Sequence, residues 1–215
     1  MTTDAHGDWT ALQDGLRRAA VALTEAGVPF ALVGGYAAWA RGAPEPSHDA
    51  DLAIAEDDVE AAKAALAEAG LDVQQPAENW LFKAVHAGEL VDVIYRMVGD
   101  PVSPELLRTA EEMEVLAVRM PVLPATEVIS AKLRVLGEHY CDFTWLLPMA
   151  RALREQIDWA RLHRESEGRP YARAFLFLAD ELGLTATAVP AGGTGVGPGR
   201  VGTEDGGDGD GQPAA

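Results

Sequence analysis

The apolar positions of this chain follow two different spacings, and the change between them divides the sequence. Up to residue 123, short apolar runs typical of strands alternate with helical spacings, whereas beyond Pro124 the apolar positions recur at helical intervals. The predicted strands are 30–33, 51–55, 71–74, 81–86, 90–96 and 115–122, and the predicted helices are 9–26, 34–41, 57–69, 125–136, 141–153, 157–163 and 171–182. This order predicts an α/β (α+β) fold in which a small mixed β-sheet is flanked by helices.

The same pattern predicts three segments along the chain. Residues 1–123 form a core that contains all the predicted strands, and residues 124–188 form a helical C-terminal part. Residues 189–215 are rich in glycine and aspartate and have no apolar periodicity, so we expect a disordered tail.

Two turn signals constrain the sheet. The segment from His86 to Glu89 contains Ala87-Gly88 and predicts a hairpin turn between the strands 81–86 and 90–96. The strand 115–122 contains Pro121, which has no backbone N–H to donate, so an edge position is expected for that strand.

Composition limits the compartments that fit. Hydrophobic residues make up 48% of the 215 residues, enough for a core, yet no apolar run reaches the roughly 18 residues of a membrane span. Residues 1–14 lack an apolar signal core, and the single Cys141 cannot form an internal disulfide. We therefore expect a cytoplasmic protein with no membrane partner.

The charge argues against a general nucleic-acid binder. The formal net charge is −17, and no dense run of lysine or arginine is present. Such a surface repels phosphate backbones, so a DNA partner is not expected. The acidity would suit a cationic small substrate, although acidic surfaces also serve solubility alone.

A pair of glycines follows the first predicted strand. Gly34 and Gly35 turn the apolar run 30–33 into a helix, which leaves backbone N–H groups free where a polyphosphate could lie. A Cβ at these positions would hold a phosphate away from the backbone. The alternative is an ordinary tight turn, since any such turn uses glycine.

Three acids accompany these glycines. Asp49 and Asp51 flank Ala50 at the head of the strand 51–55, where both carboxylates can project the same way. Their repulsion, about 4 kcal/mol at 4 Å and an effective dielectric of about 20, is relieved if a cation such as Mg²⁺ joins them. Alternatively, Asp49 caps a turn and Asp51 is solvated.

The third acid, Asp92, interrupts a strand that is otherwise apolar. A buried acid is unfavourable unless it is paired or metal-bound, so Asp92 is a candidate ligand, unless the strand lies at an edge and faces water. If the strands 51–55 and 90–96 are neighbours, the three carboxylates meet at one end of the sheet.

Together these motifs resemble the nucleotidyltransferase superfamily, the polymerase-β-like fold. In that superfamily a Gly-Gly or Gly-Ser turn opens a helix, Asp-x-Asp heads a strand, and a third acid lies on a later strand. The resemblance covers residues 28 to about 96. It implies a nucleotidyltransferase core at 1–123, Mg²⁺ (or Mn²⁺) held by Asp49, Asp51 and Asp92, and a nucleotide bound at Gly34 and Gly35.

A second resemblance concerns the helical part. Lys132 and Asp142 lie in segments similar to those of AbiEii-type toxins, which implies that Lys132 neutralises a nucleotide phosphate and Asp142 orients the nucleotide or contacts its base. An antitoxin partner would accompany such a toxin. The segments around the glycines and Asp49 to Asp51 are also similar to those of small aminoglycoside and lincosamide nucleotidyltransferases.

These resemblances imply transfer of an NMP from an NTP to an acceptor hydroxyl. They leave three classes of acceptor as alternatives: a small molecule, tRNA and protein. Salt dependence would separate tRNA from a small molecule, because tRNA binding weakens steeply with salt. The alternative from another class is a non-catalytic module of the same fold that binds nucleotide or a partner protein.

Overall fold

The computed structural model describes residues 5–46 and 49–185. Its helices are α1 (Ala5–Glu25), α2 (Gly34–Ala40), α3 (Val59–Glu68), α4 (Pro104–Arg108), α5 (Ala125–Val135), α6 (Leu146–Leu153), α7 (Trp159–Glu165) and α8 (Pro170–Glu181). Its strands are β1 (Phe30–Val33), β2 (Ala50–Ile54), β3 (Asp72–Gln74), β4 (Leu81–His86), β5 (Glu89–Ile94), β6 (Arg96–Met97), β7 (Asp100–Pro101), β8 (Glu111–Val115) and β9 (Val118–Val122). Single turns of 3-10 helix lie at Glu56–Asp58 and Arg154–Gln156.

The sheet has seven strands in the order β3-β4-β5-β2-β1-β9-β8, which confirms the mixed α/β prediction. The pair β2–β5 is parallel, whereas β1–β2 and β4–β5 are antiparallel. The strands β6 and β7 form a separate two-stranded hairpin directly after β5. The central position of β5 also excludes the edge-strand explanation for Asp92.

Helix α1 covers one face of the sheet. Its buried apolar residues recur at helical spacing, and it packs against β4 and β5. At Gly15 an added Cβ would lie 3.3 Å from the Cβ of His86 and 3.6 Å from Val91, so glycine lets the helix approach closely. Val91 therefore points toward α1, and the alternate residues of β5, including Asp92, point to the opposite face.

The C-terminal helices pack around α5. Helix α5 contacts α2 as well as α6, α7 and α8, and fully buried side chains such as Ile129 and Phe175 fill the space between them. This arrangement places α5 beside α2. In the described part of the chain, no helix combines the length and apolar content needed to cross a bilayer.

Arg41 fastens α2 to the end of the sheet. Its guanidinium donates to the carbonyl oxygens of Val122 (3.0 Å) and Leu123 (2.6 Å) and forms an ion pair with Glu111 (3.0 Å). The side chain is 7% exposed, so these bonds satisfy a nearly buried cation. Arg41 thus holds α2 in a fixed position relative to β9.

Two details of the sequence prediction are wrong. The predicted strand 115–122 contains the last residue of β8, the turn Leu116-Ala117 and the whole of β9, and β9 lies inside the sheet. Pro121 is tolerated there because pairing with β1 is confined to Val122, one residue later. The predicted helix 141–153 begins only at Leu146, because Asp142 and Thr144 form a turn instead.

The chain changes from strands to helices near residue 124, where the sequence analysis placed a boundary. The division into separate domains at that boundary stays a prediction. The tail 189–215 lies outside the described residues.

Candidate functional site

Asp51 and Asp92 face each other across neighbouring strands. The parallel ladder of β2 and β5 pairs them directly, and adjacent strands lie about 4.8 Å apart. Both residues point away from the α1 face, toward α2 and α5. The condition under which the sequence analysis expected the carboxylates to meet, that these two strands are neighbours, is therefore fulfilled.

The glycine turn lies directly above Asp51. Gly34 has φ +63°, and a Cβ built there would overlap Oδ2 of Asp51, so only glycine fits by both conformation and space. At Gly35 a Cβ would lie 2.8 Å from the Cβ of Pro46. The two glycines thus let the backbone of the α2 start approach a carboxylate on one side and a loop on the other.

Asp51 is unfavourably placed for a charged group. Burial raises its pKa to about 7, and the negative charge of Asp92 acts in the same direction, followed by that of Asp49. The positive charges of Lys132 and Lys83 oppose this effect without cancelling it. The site therefore carries more negative charge than its own residues neutralise.

Lys83 is a residue that sequence reasoning missed. Its Nζ lies 2.9 Å from Oδ1 of Asp92, directly across the β4–β5 hairpin, and both side chains are partly buried. The signal was present in the sequence: a two-residue turn at Ala87-Gly88 pairs His86 with Glu89 and, counting outward, Lys83 with Asp92. Asp92 is therefore already paired with a cation in this structure.

Asp49 lies just outside β2. Its φ is +43°, a left-handed conformation that aspartate tolerates, and the side chain is exposed. The sequence analysis expected strand alternation to place Asp49 and Asp51 on one face. Because Asp49 lies outside β2, strand alternation does not apply to it. Asp49 is still close enough for its charge to act on Asp51.

Lys132 and Asp142 differ in their placement. Lys132 lies on α5, and its charge lowers the pKa of Asp51, so the helical part contributes a cation to this site. Asp142 lies in an exposed turn where its Oδ1 accepts a hydrogen bond from the Thr144 backbone N–H at 2.8 Å. Hydrogen bonds from the Thr144 side chain and backbone lower the pKa of Asp142, so this carboxylate stabilises a turn.

The donor set fits a divalent cation. Within residues 5–46 and 49–185, no three acidic, histidine or cysteine side chains converge as a ready-made metal site. Asp51 and Asp92 nevertheless supply hard oxygen donors side by side. Burial and the neighbouring charge of Asp92 disfavour the charged form of Asp51, and a bound cation would offset that cost. Asp49 is a further acid whose charge acts on Asp51.

No family model matches the chain, and no curated protein matches it. Among solved structures it is similar to the antibiotic-resistance factor ANT(2'')-Ia in solution, with a TM-score of 0.54 and 15% identity over 82% of this chain and 96% of that one. ANT(2'')-Ia in complex with adenylyl-2''-tobramycin gives 0.46 and 19% over 81% and 94%. A nucleotidyltransferase-like protein from Paracoccidioides brasiliensis gives 0.45 and 15% over 78% and 93%. The likeness to the first structure shows that this chain has the nucleotidyltransferase fold.

Proposed function

We propose that this protein is a metal-dependent nucleotidyltransferase that moves an NMP from an NTP to an acceptor hydroxyl. The observation that carries the proposal is the register pairing of Asp51 with Asp92 beneath the Gly34 turn. Two carboxylates side by side with too little positive charge are costly in a folded protein and useful where a cation and a polyphosphate meet.

In this proposal Asp49, Asp51 and Asp92 hold Mg²⁺ or Mn²⁺, which when bound neutralises charge on the phosphate oxygens. The backbone at Gly34 and Gly35 lies against the phosphates, because no Cβ stands in the way. Lys132 and Lys83 are the cations beside the carboxylates and attract the triphosphate.

The reaction forms one P–O bond and breaks another. The acceptor hydroxyl oxygen attacks the α-phosphorus, the bond to the β-phosphate oxygen breaks, and pyrophosphate leaves. Asp92 would take the hydroxyl proton, or would be one of the residues that hold the metal ion beside the acceptor. In either role the ion pair with Lys83, at 2.9 Å, holds the Asp92 carboxylate in position.

A small-molecule acceptor is better supported than tRNA or protein. The net charge of −17 repels a polyanionic acceptor, and one neighbour of the same fold is an antibiotic-resistance factor. The AbiEii-like interpretation, with a tRNA or protein acceptor and an antitoxin partner, depends on Lys132 and Asp142. Of these two residues, Lys132 acts electrostatically on Asp51, whereas Asp142 is bonded within its own turn.

The competing function is a non-catalytic module that binds nucleotide or a partner. One observation favours it: Lys83 already pairs with Asp92 and supplies the positive charge that a metal ion would otherwise supply. The close contact between Gly34 and Asp51 argues against it. A module that did not use the site would not need a glycine at this position.

The test is incubation with each α-labelled NTP and Mg²⁺, using an antibiotic panel, total tRNA and the protein itself as acceptors. The Asp49→Ala/Asp51→Ala variant should lose the label, whereas Asp57→Asn, an exposed acid at the far end of β2, should keep it. Label that persists in the double variant contradicts the proposal. Nucleotide binding without label on any acceptor supports the non-catalytic module.

A further inference from the structure

A cavity of about 510 Å³ opens on the same sheet face as Asp92. Its walls come from the end of β4–β5 (Trp80, Ile94), the β6–β7 hairpin (Met97, Val98) and helix α5 (Ala131, Val135). Ile94 lies two residues beyond Asp92 on β5, so the two side chains share a face about 7 Å apart. A compound in this cavity is within reach of the candidate carboxylate.

Exposed apolar side chains line this cavity. Trp80, Val98 and Val135 are 41%, 46% and 48% exposed, and all three line it. Large apolar groups left open to solvent in one concave place, rather than scattered, indicate a ligand. The volume falls in the range of drug-sized ligand sites, roughly 300–1,000 Å³.

The charge of the lining is the feature that selects the ligand. Arg96 is its charged member among the described residues, and that guanidinium donates to Glu56 at 2.7 and 2.9 Å. The described lining offers no carboxylate to a ligand ammonium group. A polycation such as an aminoglycoside would therefore lose solvation there without gaining an ion pair.

Val98 supplies a second, independent observation. It occupies the first position of the two-residue turn Val98-Gly99 with φ +54°, where asparagine is preferred and a β-branched residue is strained. Strain of this kind persists where the side chain has another use. Here the side chain forms part of the cavity wall.

We infer that this cavity binds the acceptor, and that the acceptor is a neutral, largely apolar small molecule carrying a ring and a hydroxyl group. The inference rests on the proposed function and names its substrate class. The ring lies against Trp80 and Val98, and the hydroxyl points along β5 toward Asp92. The acidic surface of the protein then has no part in acceptor recognition.

The first test is calorimetric binding of 2-naphthyl β-D-glucoside, with tobramycin as the polycationic comparison. We expect the glucoside to bind, and Trp80→Ala to weaken it at least about tenfold. Phe177→Ala, which removes an exposed aromatic ring on α8 away from the cavity, should leave binding unchanged. Tighter binding of tobramycin, or equal loss in both variants, overturns the inference.

The second test uses the strained turn. Val98→Asn should raise the free energy of unfolding, because Asn-Gly suits this turn, and should weaken glucoside binding several-fold. The matched control is Ala87→Asn, which changes an equivalent turn (Ala87 φ +51°, Gly88) between β4 and β5. It should stabilise the protein and leave binding unchanged. If both variants bind the glucoside like the wild type, Val98 is not part of the site.

Labelling assays separate the two proposals. Transfer from an α-labelled NTP to the glucoside, impaired by Trp80→Ala, supports both. Transfer to tobramycin or tRNA alone overturns the acceptor class and leaves the proposed function standing. Glucoside binding with no transfer to any acceptor overturns the acceptor role of the cavity together with the proposed reaction.

Discussion

Replacing Asp51 with asparagine is expected to stabilise the metal-free protein while abolishing its activity. Burial and the neighbouring Asp92 raise the pKa of Asp51 from 3.8 to about 7, so the charged carboxylate is disfavoured in the fold. At about 1.4 kcal/mol per pH unit, this difference corresponds to a penalty on the order of 4 kcal/mol above pH 7. Asparagine has nearly the same shape and carries no charge.

The sign of the pH dependence follows from the raised pKa. Below about pH 4, Asp51 is protonated in both the folded and unfolded chains, and the wild type has no penalty from this group. Between about pH 4 and pH 7 the unfolded chain releases the proton first, so the contribution of Asp51 to stability is lost as the pH rises. The stability difference between variant and wild type should therefore grow from near zero at pH 4 to its full value at pH 8.

The assay is urea unfolding of wild type and Asp51→Asn across this pH range, without divalent cations. Taking the difference between the two proteins removes the contributions of all groups that both share. Adding Mg²⁺ at pH 8 should stabilise the wild type alone, because the ion binds the folded carboxylates. A variant that is less stable than the wild type at pH 8, or a difference that does not change with pH, would refute the reasoning.

Three further outcomes are expected. Gly34→Ala should destabilise the fold by about 2–3 kcal/mol in urea unfolding, because the positive φ and the contact with Asp51 both oppose a Cβ. Arg41→Met should cost about 2–3 kcal/mol in the same assay, since two backbone carbonyls at the end of β9 lose their donor. Lys83→Met should bind Mg²⁺ several-fold more tightly in calorimetry, because a competing cation at Asp92 is removed; unchanged affinity would place the metal away from Asp92.

The sequence predicted the part of the site that depends on local order. The strand–glycine–helix unit was predictable because apolar residues, two glycines and a helical spacing follow each other without interruption. The hairpin 86–89 was predictable from its turn residues, and its register already implied that Lys83 faces Asp92. The parallel pairing of β2 with β5 was stated as a condition, because it joins segments about 40 residues apart and no local signal encodes it.

Each error has its own physical cause. Strand β8 (Glu111–Val115) is rich in glutamate because it is the sheet edge, where charged residues discourage pairing with other chains, so it lacks the apolar pattern of a strand. Its turn to β9 uses Leu116 and Ala117 at positive φ, which gives no turn signal. Around Asp142 the apolar residues do contribute to packing, but not as a helix: Phe143 lies in a loop and contacts Phe175.

The distribution of charge reconciles an acidic protein with a phosphate-bearing substrate. A net charge of −17 repels a long polyanion everywhere on the surface, and this repulsion accumulates with each phosphate that approaches. A single nucleotide meets mainly the local field, which Lys83 and Lys132 make less negative beside Asp51 and Asp92. A bound divalent cation would reverse that field over a few ångströms without altering the rest of the surface. Acidic surroundings therefore favour a nucleotide with its metal over a nucleic acid. In our proposal the cavity beyond Asp92, where Arg96 is paired with Glu56, accepts a neutral partner that neither field attracts.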